Sequence, residues 1–185
     1  MRSLILKSVS FVFFLTMSAQ FAIAQSAITV GGELMYPAMD IVDNAVNSKD
    51  HTTLVAAVKA AGLVETLKGE GPFTVFAPTN DAFENLPEGT VETLLKPANK
   101  AKLTSVLTYH VLAGSHDFDD LAKAIRKGKG KASMKTVEGK ELSFMKNGEY
   151  NIQVKDENGH VANITTSDVY QSNGVIHVID QVLLP

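Results

Sequence analysis

The sequence predicts an α+β domain in which helices come first and an antiparallel sheet follows. Apolar residues recur at helical spacing through most of the first two thirds of the chain. Segment 73–77 in that part is instead β-branched and aromatic and lies between two prolines, which is typical of a strand. From residue 136 onward apolar and polar residues alternate, and turn-forming pairs that end in glycine separate the runs. This order differs from the strand–helix alternation of a parallel nucleotide-binding sheet.

Capping residues set the boundaries of the predicted helices. Gly62 ends the second helix, and Thr79 or Asn80 can accept the free amide hydrogens of the helix that begins at Asp81. Asp81 also lies at the positive end of that helix dipole. Helices are predicted at 37–46, 52–61, 63–68, 81–85, 90–95, 99–109 and 117–126, and strands at 73–77, 110–113, 136–137, 142–145, 150–155, 160–165, 168–171 and 175–184.

The first 24 residues have the three-part order of a secretory signal peptide. Arg2 and Lys7 provide a positive start, 9–17 is apolar, and small residues precede a cleavage site after Ala24. The apolar run is short for a bilayer span, so cleavage is favoured over a retained membrane anchor. We therefore expect a protein that is secreted or periplasmic.

The rest of the chain is predicted to contain one domain. Residues 25–36 are polar and contain glycine, which indicates a flexible leader, and 37–185 form the domain. No linker or internal repeat divides this part of the sequence, and its length allows a core that folds without disulfides.

Charge and cysteine content exclude several classes of function. Cleavage would remove Arg2 and Lys7 but no acidic residue, so the net charge of −3 would become −5. An acidic domain is a poor nucleic-acid binder, and the basic stretch 123–135 is interpreted as a flexible, solvated loop. The chain has no cysteine, which excludes disulfides, thiol nucleophiles and zinc sites with cysteine ligands.

No catalytic, metal or cofactor site is predicted from the motifs. The sequence has neither the Gly-X-Ser-X-Gly motif nor a histidine pair at helical zinc-binding spacing. His116 and the acidic residues of 117–120 resemble a metal cluster, but acids at a helix start are better explained by the dipole. His110 is interpreted as a structural histidine that joins a helix end to a neighbouring loop, in preference to a general base paired with Asp81.

Three segments together resemble the fasciclin (FAS1) domain family. They are 73–83, the Tyr109–His110 pair with 111–114, and 173–185. Residues 37–62 also resemble the bacterial secreted branch of the family, which includes the mycobacterial MPB70-type antigens. The resemblance implies α-helices packed on a wedge of two mainly antiparallel β-sheets.

The same resemblance implies an adhesion or binding module without a catalytic centre. Its partner would be a cell-surface or extracellular protein or a polysaccharide, and any membrane association would come through that partner. Self-association is one route by which a lone domain would gain avidity. Two alternatives remain open, an extracytoplasmic hydrolase and a carrier that holds a small ligand between the sheets and helices. The motif positions, expected to be structural or near an adhesive surface, are Thr79, Asn80, Asp81, Tyr109 and His110.

Overall fold

The computed structural model describes residues 26–185. The predicted signal peptide and its cleavage site lie outside the described residues. None of the helices within 26–185 has both the length and the apolar character needed to cross a membrane.

Seven α-helices and nine β-strands form the described part of the chain, and their order confirms the α+β prediction. The helices are α1 (Ile41–Asn47), α2 (Thr52–Ala61), α3 (Val64–Lys68), α4 (Asn80–Glu84), α5 (Thr90–Leu94), α6 (Lys100–Tyr109) and α7 (Phe118–Lys127). The strands are β1 (Ile28–Val30), β2 (Glu33–Met35), β3 (Phe73–Pro78), β4 (Val111–Ala113), β5 (Lys131–Lys135), β6 (Glu141–Asn147), β7 (Asn151–Lys155), β8 (Val161–Gln171) and β9 (Gly174–Ile179). Short 3-10 turns occupy Lys49–His51 and Pro97–Asn99.

Strands β3 to β9 form one sheet in the order β4-β3-β9-β8-β7-β6-β5. Strands β3 and β9 run parallel, whereas the other pairs in this sheet are antiparallel. Strand β8 belongs to two sections of the sheet, because its first part pairs with β7 and its later part with β9. Register shifts between Ile164 and Val169 interrupt the part that pairs with β9, and Asp168 there has a positive φ of 58°. The long strand therefore joins two sections, which together form the wedge expected for this fold.

The buried apolar residues form two clusters on opposite faces of β3 and β9. Val75 and Ala77 point into a core that also contains α1, α2 and α6. Phe76 points to the other face, where a second core contains α7 and β6 to β8. There its ring lies 5.4 Å from that of Phe144, measured between centroids. Successive side chains of a strand point to opposite faces, so β3 and β9 are covered on both sides and consist almost entirely of buried residues.

Residues 28–35 differ from the prediction of a flexible leader. They form a hairpin in which Ile28 pairs with Met35, and Gly31 and Gly32 make its turn at φ values of 60° and 77°. Glycine adopts these left-handed angles without a steric penalty. Val30 and Met35 are buried against the first core, so this segment belongs to the folded domain.

Residues 123–135 also differ from the sequence interpretation. They form the end of α7 and the edge strand β5, and only 128–130 between them is a turn. Ala132 and Met134 point inward, while Lys131, Ser133 and Lys135 are exposed. Lysines on an edge strand oppose pairing with another chain, which explains why a strand has the composition of a solvated segment.

Several predicted boundaries of the C-terminal strands differ from those in the structure. The predicted strand at 136–137 is only an isolated bridge between Thr136 and Leu112. The predicted strands 160–165 and 168–171 are one bulged strand, β8, and β9 ends at Ile179 rather than at residue 184. The antiparallel meander from β5 to β9 is confirmed.

We expect Met35→Ala to destabilise the domain, because Met35 is only 3% exposed and packs in the first core. Large-to-small substitutions in cores cost roughly 2–5 kcal/mol of unfolding free energy. The matched control is Leu34→Ala, since Leu34 is 46% exposed on the same strand, and we expect a change within about 0.5 kcal/mol. Urea unfolding of both variants measures the difference. Equal stabilities would mean that the hairpin does not belong to the cooperative core.

Candidate functional site at the helix–strand junctions

Thr79 forms the junction between β3 and α4. Its backbone is extended, and its hydroxyl oxygen accepts a hydrogen bond from the backbone N–H of Ala82 at 3.3 Å. This bond satisfies one of the amide hydrogens that have no partner in the first turn of a helix. Of the two candidate caps, Thr79 is the one that the structure uses.

Asn80 joins the starts of two helices. Its side-chain oxygen accepts hydrogen bonds from the backbone N–H of Thr53 at 3.0 Å and from the hydroxyl of Thr52 at 3.1 Å. Its amide nitrogen donates to the carbonyl of Lys49 at 2.9 Å. Helix α2 has no capping bond from its own N-cap side chain. Asn80 therefore supplies from α4 the acceptor that the first turn of α2 lacks.

Asp81 follows in the first turn of α4 and is exposed. Its negative charge lies at the positive end of the helix, where a carboxylate is stabilising. Asp81 therefore presents a charged group to solvent beside the junction that Asn80 fixes.

Tyr109 lies in the interior at the end of α6. Its hydroxyl donates to the carbonyl of Glu141 at 2.8 Å and accepts from the backbone N–H of Glu157 at 3.2 Å. Burial raises the pKa of this phenol to about 12, so the hydroxyl keeps its proton at neutral pH. The side chain ties α6 to β6 and to the turn between β7 and β8.

His110, the next residue, uses both of its ring nitrogens. Nε2 lies 3.0 Å from the backbone N–H of Leu183, and Nδ1 lies 2.8 Å from the carbonyl of Val106. An amide N–H can only donate, so Nε2 accepts and Nδ1–H donates, which defines the neutral tautomer. Burial lowers the pKa of this imidazole to about 4. His110 thereby fastens the end of α6 to the C-terminal segment.

The two motif groups do not form one chemical site. Asp81 is exposed and Thr79 and Asn80 are partly buried beside α2, whereas Tyr109 and His110 are buried. A general base needs a free lone pair, and both nitrogens of His110 are already paired with backbone groups. Within residues 26–185, no group of three or more histidine and acidic side chains is arranged to hold a metal ion. Asp117, considered above for such a cluster, caps α7 by accepting from the N–H of Asp120 at 2.8 Å.

Asn173, the first residue of the family segment 173–185, is a positioning residue. Its side-chain oxygen accepts from the backbone N–H of Ile41 at 3.0 Å. Its amide donates to the carbonyls of Leu67 at 2.8 Å and Gly69 at 3.1 Å. Asparagine before glycine is a common turn signal, so nothing local distinguishes this residue from an ordinary turn.

Two further histidines are buried and neutral, which the sequence did not reveal. His177 donates from Nε2 to the carbonyl of His116 at 2.9 Å, and Nδ1 of His51 lies 2.8 Å from the hydroxyl oxygen of Ser48. Burial lowers the pKa of both imidazoles. The domain therefore folds around three histidines that resist protonation.

We expect Tyr109→Phe to destabilise the domain without changing its fold. The substitution leaves the partly buried carbonyl of Glu141 and N–H of Glu157 without their partner. Loss of a hydrogen bond costs about 0.5–1.5 kcal/mol. The matched control is Tyr150→Phe, because Tyr150 is 84% exposed and should change stability by less than about 0.5 kcal/mol. Chemical unfolding compares the two variants. Similar losses in both would contradict the structural role of the Tyr109 hydroxyl.

We expect the domain to lose stability as the pH falls below about 6.5, the ordinary pKa of histidine. The unfolded chain then binds a proton at His110, whereas the folded chain does not until about pH 4. His110 therefore makes its full contribution to the free energy of unfolding above pH 6.5. This contribution is lost as the pH falls from about 6.5 to about 4, by at most about 1.4 kcal/mol per pH unit. His51 and His177 act in the same direction.

The variant His110→Gln removes the titratable group at one of the three buried histidines. We expect it to be less stable than the wild type at neutral pH but to show a shallower decline toward acid, because glutamine does not titrate. Urea unfolding between about pH 7.5 and pH 4.5 measures both slopes. Parallel slopes would show that His110 is protonated alike in the folded and unfolded states.

The comparisons with known proteins agree with this architecture. The family model described as the fasciclin domain matches residues 49–185. Protein sll1483 of Synechocystis is 51% identical over 150 residues, which are 80% of this chain and 74% of that protein. The immunogenic protein MPB70 of Mycobacterium bovis is 34% identical over 146 residues, covering 76% of this chain and 66% of that protein.

A solved structure gives the same result for the fold. The FAS1 domain pair from the insect cell adhesion molecule fasciclin I matches with a TM-score of 0.69 at 21% identity. The match covers 80% of this chain and 52% of that one, so this chain spans about half the length of the domain pair. The extent of the family-model match and the identity to the Synechocystis protein show that this chain belongs to the fasciclin family.

Proposed function

We propose that this protein is an exported binding module that attaches to a cell-surface or extracellular partner, either a protein or a polysaccharide. The observation that carries the proposal is the division of the motif residues between the interior and the surface. Tyr109 and His110 use their polar atoms inside the domain, whereas Asp81 remains exposed on a fixed backbone. Family membership supports the same function, since the similar FAS1 domain pair comes from a cell adhesion molecule.

The surface proposed for binding is the one that Asn80 holds together. We call it the Asn80 ridge, and it consists of the exposed residues Lys49, Asp50, Thr52 and Asp81. Asn80 bonds to the backbone of Lys49 and to the side chain of Thr52, so these positions are fixed relative to α4. A rigid arrangement of charged groups loses little entropy when a partner binds, which favours recognition.

The geometry supports binding in preference to hydrolysis. The hydrolase alternative requires His110 to accept a proton from a substrate or a water molecule. Its Nε2 already accepts from Leu183, and its Nδ1–H donates to Val106. Asp81 lies at the surface junction rather than in the hydrogen bonds of this imidazole. Activity through this pair would first require the C-terminal segment to detach.

Export is part of the proposal. The positive start, the apolar run and the small residues before Gln25 support processing after Ala24. An extracytoplasmic location is also consistent with a cysteine-free domain, because such a domain depends on no redox compartment. Membrane attachment would then come through the partner, and self-association would supply avidity.

The test is an attachment assay with the purified chain from residue 25, applied to cells, envelope extracts and immobilised polysaccharides. We expect the double variant Asp50→Asn/Asp81→Asn to reduce attachment several-fold, while the thermal melt stays close to that of the wild type. Raising the salt concentration should weaken wild-type attachment, because exposed charges are screened.

The matched control is Asp119→Asn/Glu149→Gln, which removes the same amount of charge at exposed positions outside the ridge. We expect it to attach like the wild type. If the control loses as much attachment as the ridge variant, net charge rather than the ridge governs binding. Failure of the wild type to attach to every surface would contradict the adhesion function itself.

A further inference from the structure

An open groove of about 420 Å³ lies between the β6–β7 hairpin and the irregular middle of β8. Asn147, Tyr150 and Asn151 line it from the hairpin, and Thr165 and Ser167 line it from β8. Its volume falls within the range of about 300–1,000 Å³ that is typical of small-ligand sites. No residue of the Asn80 ridge lines this groove, so the two surfaces are distinct.

Tyr150 presents its ring to solvent beside the groove. It is 84% exposed, the largest exposed fraction among the large apolar and aromatic side chains of residues 26–185. Its backbone is nevertheless held in place, because Asn147 pairs with Asn151 across the hairpin and the ammonium group of Lys146 donates to the carbonyl of Glu149 at 3.2 Å. A ring on a fixed turn loses little conformational entropy when a ligand covers it, which favours binding.

The two asparagines of the hairpin have polar atoms left for a ligand. The side-chain nitrogen of Asn147 donates to the side-chain oxygen of Asn163 at 3.2 Å, and Asn163 in turn donates to Asp180 at 2.8 Å. The side-chain oxygen of Asn151 accepts from the N–H of Ile152 at 2.7 Å. Among residues 26–185, the oxygen of Asn147 and the nitrogen of Asn151 have no further hydrogen-bond partner. These cross-strand neighbours therefore offer one acceptor and one donor close together.

The opposite wall of the groove is the irregular stretch of β8. Register shifts lie on both sides of Thr166, and Asp168 has a left-handed φ of 58°. Within this stretch Thr165 and Ser167 line the groove with hydroxyl groups. Irregular strand segments and strained backbone angles are concentrated at functional sites, so this wall has the backbone expected of a binding site.

The charge of the groove defines the class of ligand. Of the described residues that line it, only Glu149 is charged, so the groove offers no cation to an anionic ligand. Its neutral amides and hydroxyls match the hydroxyl groups of a sugar, each of which both donates and accepts. The face of an aromatic ring carries partial negative charge, which attracts the C–H groups of a pyranose ring. An uncharged saccharide satisfies all three features.

We propose that this groove binds a neutral hexopyranose oligosaccharide, with one sugar ring against Tyr150 and neighbouring hydroxyl groups bonded to Asn147 and Asn151. The aromatic ring contributes apolar contact area, and the amides fix the orientation of the sugar. A single open groove binds weakly, and several protein copies on one polysaccharide would bind more tightly. This site adds a second ligand to the proposed adhesion function and does not depend on the Asn80 ridge.

The test titrates three neutral tetrasaccharides, cellotetraose, mannotetraose and maltotetraose, into the purified chain from residue 25. Calorimetry and saturation-transfer NMR measure the binding. We expect at least one of them to bind with a dissociation constant of about 1 mM or lower. Tetragalacturonate, an anionic sugar of the same length, should bind several-fold more weakly than that tetrasaccharide, because the groove has a carboxylate and no cation.

Paired variants test the two parts of the site. Tyr150→Ala should weaken binding roughly ten-fold, since an aromatic anchor is removed, whereas Tyr150→Phe keeps the ring and should bind nearly as the wild type does. Tyr36→Ala, at a tyrosine 47% exposed outside the groove, is the matched control. Asn147→Ala should weaken binding several-fold, and Asn85→Ala, at an exposed position outside the groove, should not. Thermal melts close to that of the wild type show that the variants are folded.

The proposal is overturned if none of the neutral tetrasaccharides saturates the wild type at about 10 mM, and that result requires no variant. Equal losses in Tyr150→Ala and Tyr36→Ala would place the ligand elsewhere. Glu149→Gln should bind the neutral sugars as the wild type does, and a loss as large as that of Tyr150→Ala would show that charge governs the groove. The ridge variant Asp50→Asn/Asp81→Asn should bind them unchanged, so failure of the ridge and failure of the groove are separate results.

Discussion

The parallel pairing of β3 with β9 is the constraint on which the rest of the structure depends. It joins residues about a hundred positions apart, from Phe73 with Gly174 to Pro78 with Ile179. The two chains approach so closely at its start that a Cβ atom on Gly174 would lie 2.1 Å from the carbonyl oxygen of Phe73. A side chain at that position would force the strands apart. Since β3 and β9 face both hydrophobic cores, the separation would disturb helices on either side.

The motif residues form hydrogen bonds that hold the segments next to these two strands. Thr79 and Asn80 directly follow β3 and begin α4 against α2. The backbone carbonyl of His110 accepts from the N–H of Phe76, while its ring holds the segment that follows β9. Asn173 precedes β9 and holds the beginning of α1 and the end of α3. These side chains pair backbone groups that would otherwise be buried without partners, a cost that a folded core does not tolerate.

This arrangement divides the side chains that hold the fold from those that face solvent. The polar atoms of the interior motif residues are used to hold backbone segments, so the chemistry available to a partner lies elsewhere. Asp81 presents charge from the same junction that Asn80 stabilises. Asp81 takes no part in the pairing of β3 with β9. The side chains that stabilise the fold and those exposed beside the junction are therefore largely different residues.

Local sequence signals by themselves determined the elements that have local causes. Helix α2 was predicted with the boundaries that the structure shows, because its apolar stripe is regular and Gly62 ends it in the left-handed conformation. The resemblance of three segments identified the family, whereas the structural interpretation of His110 came from its place at a helix end. Signals were weaker where composition and structure disagree, as in the lysine-rich strand β5 and the glycine-containing hairpin at 28–35. In both segments apolar and polar residues alternate over only a few positions, so the sequence pattern is similar to that of a loop.

Only the tertiary structure decided which distant segments meet. The parallel partner of β3, the acceptor that Asn80 supplies to α2 and the three bonds of Asn173 all link positions far apart in the chain. An apolar cavity of about 80 Å³ lined by α1, α2 and β3 likewise exists only between elements that pack together. Sequence periodicity reports which face of an element is apolar. The choice of partner depends on the packing of all the elements at once, and for that reason it becomes visible only in the folded domain.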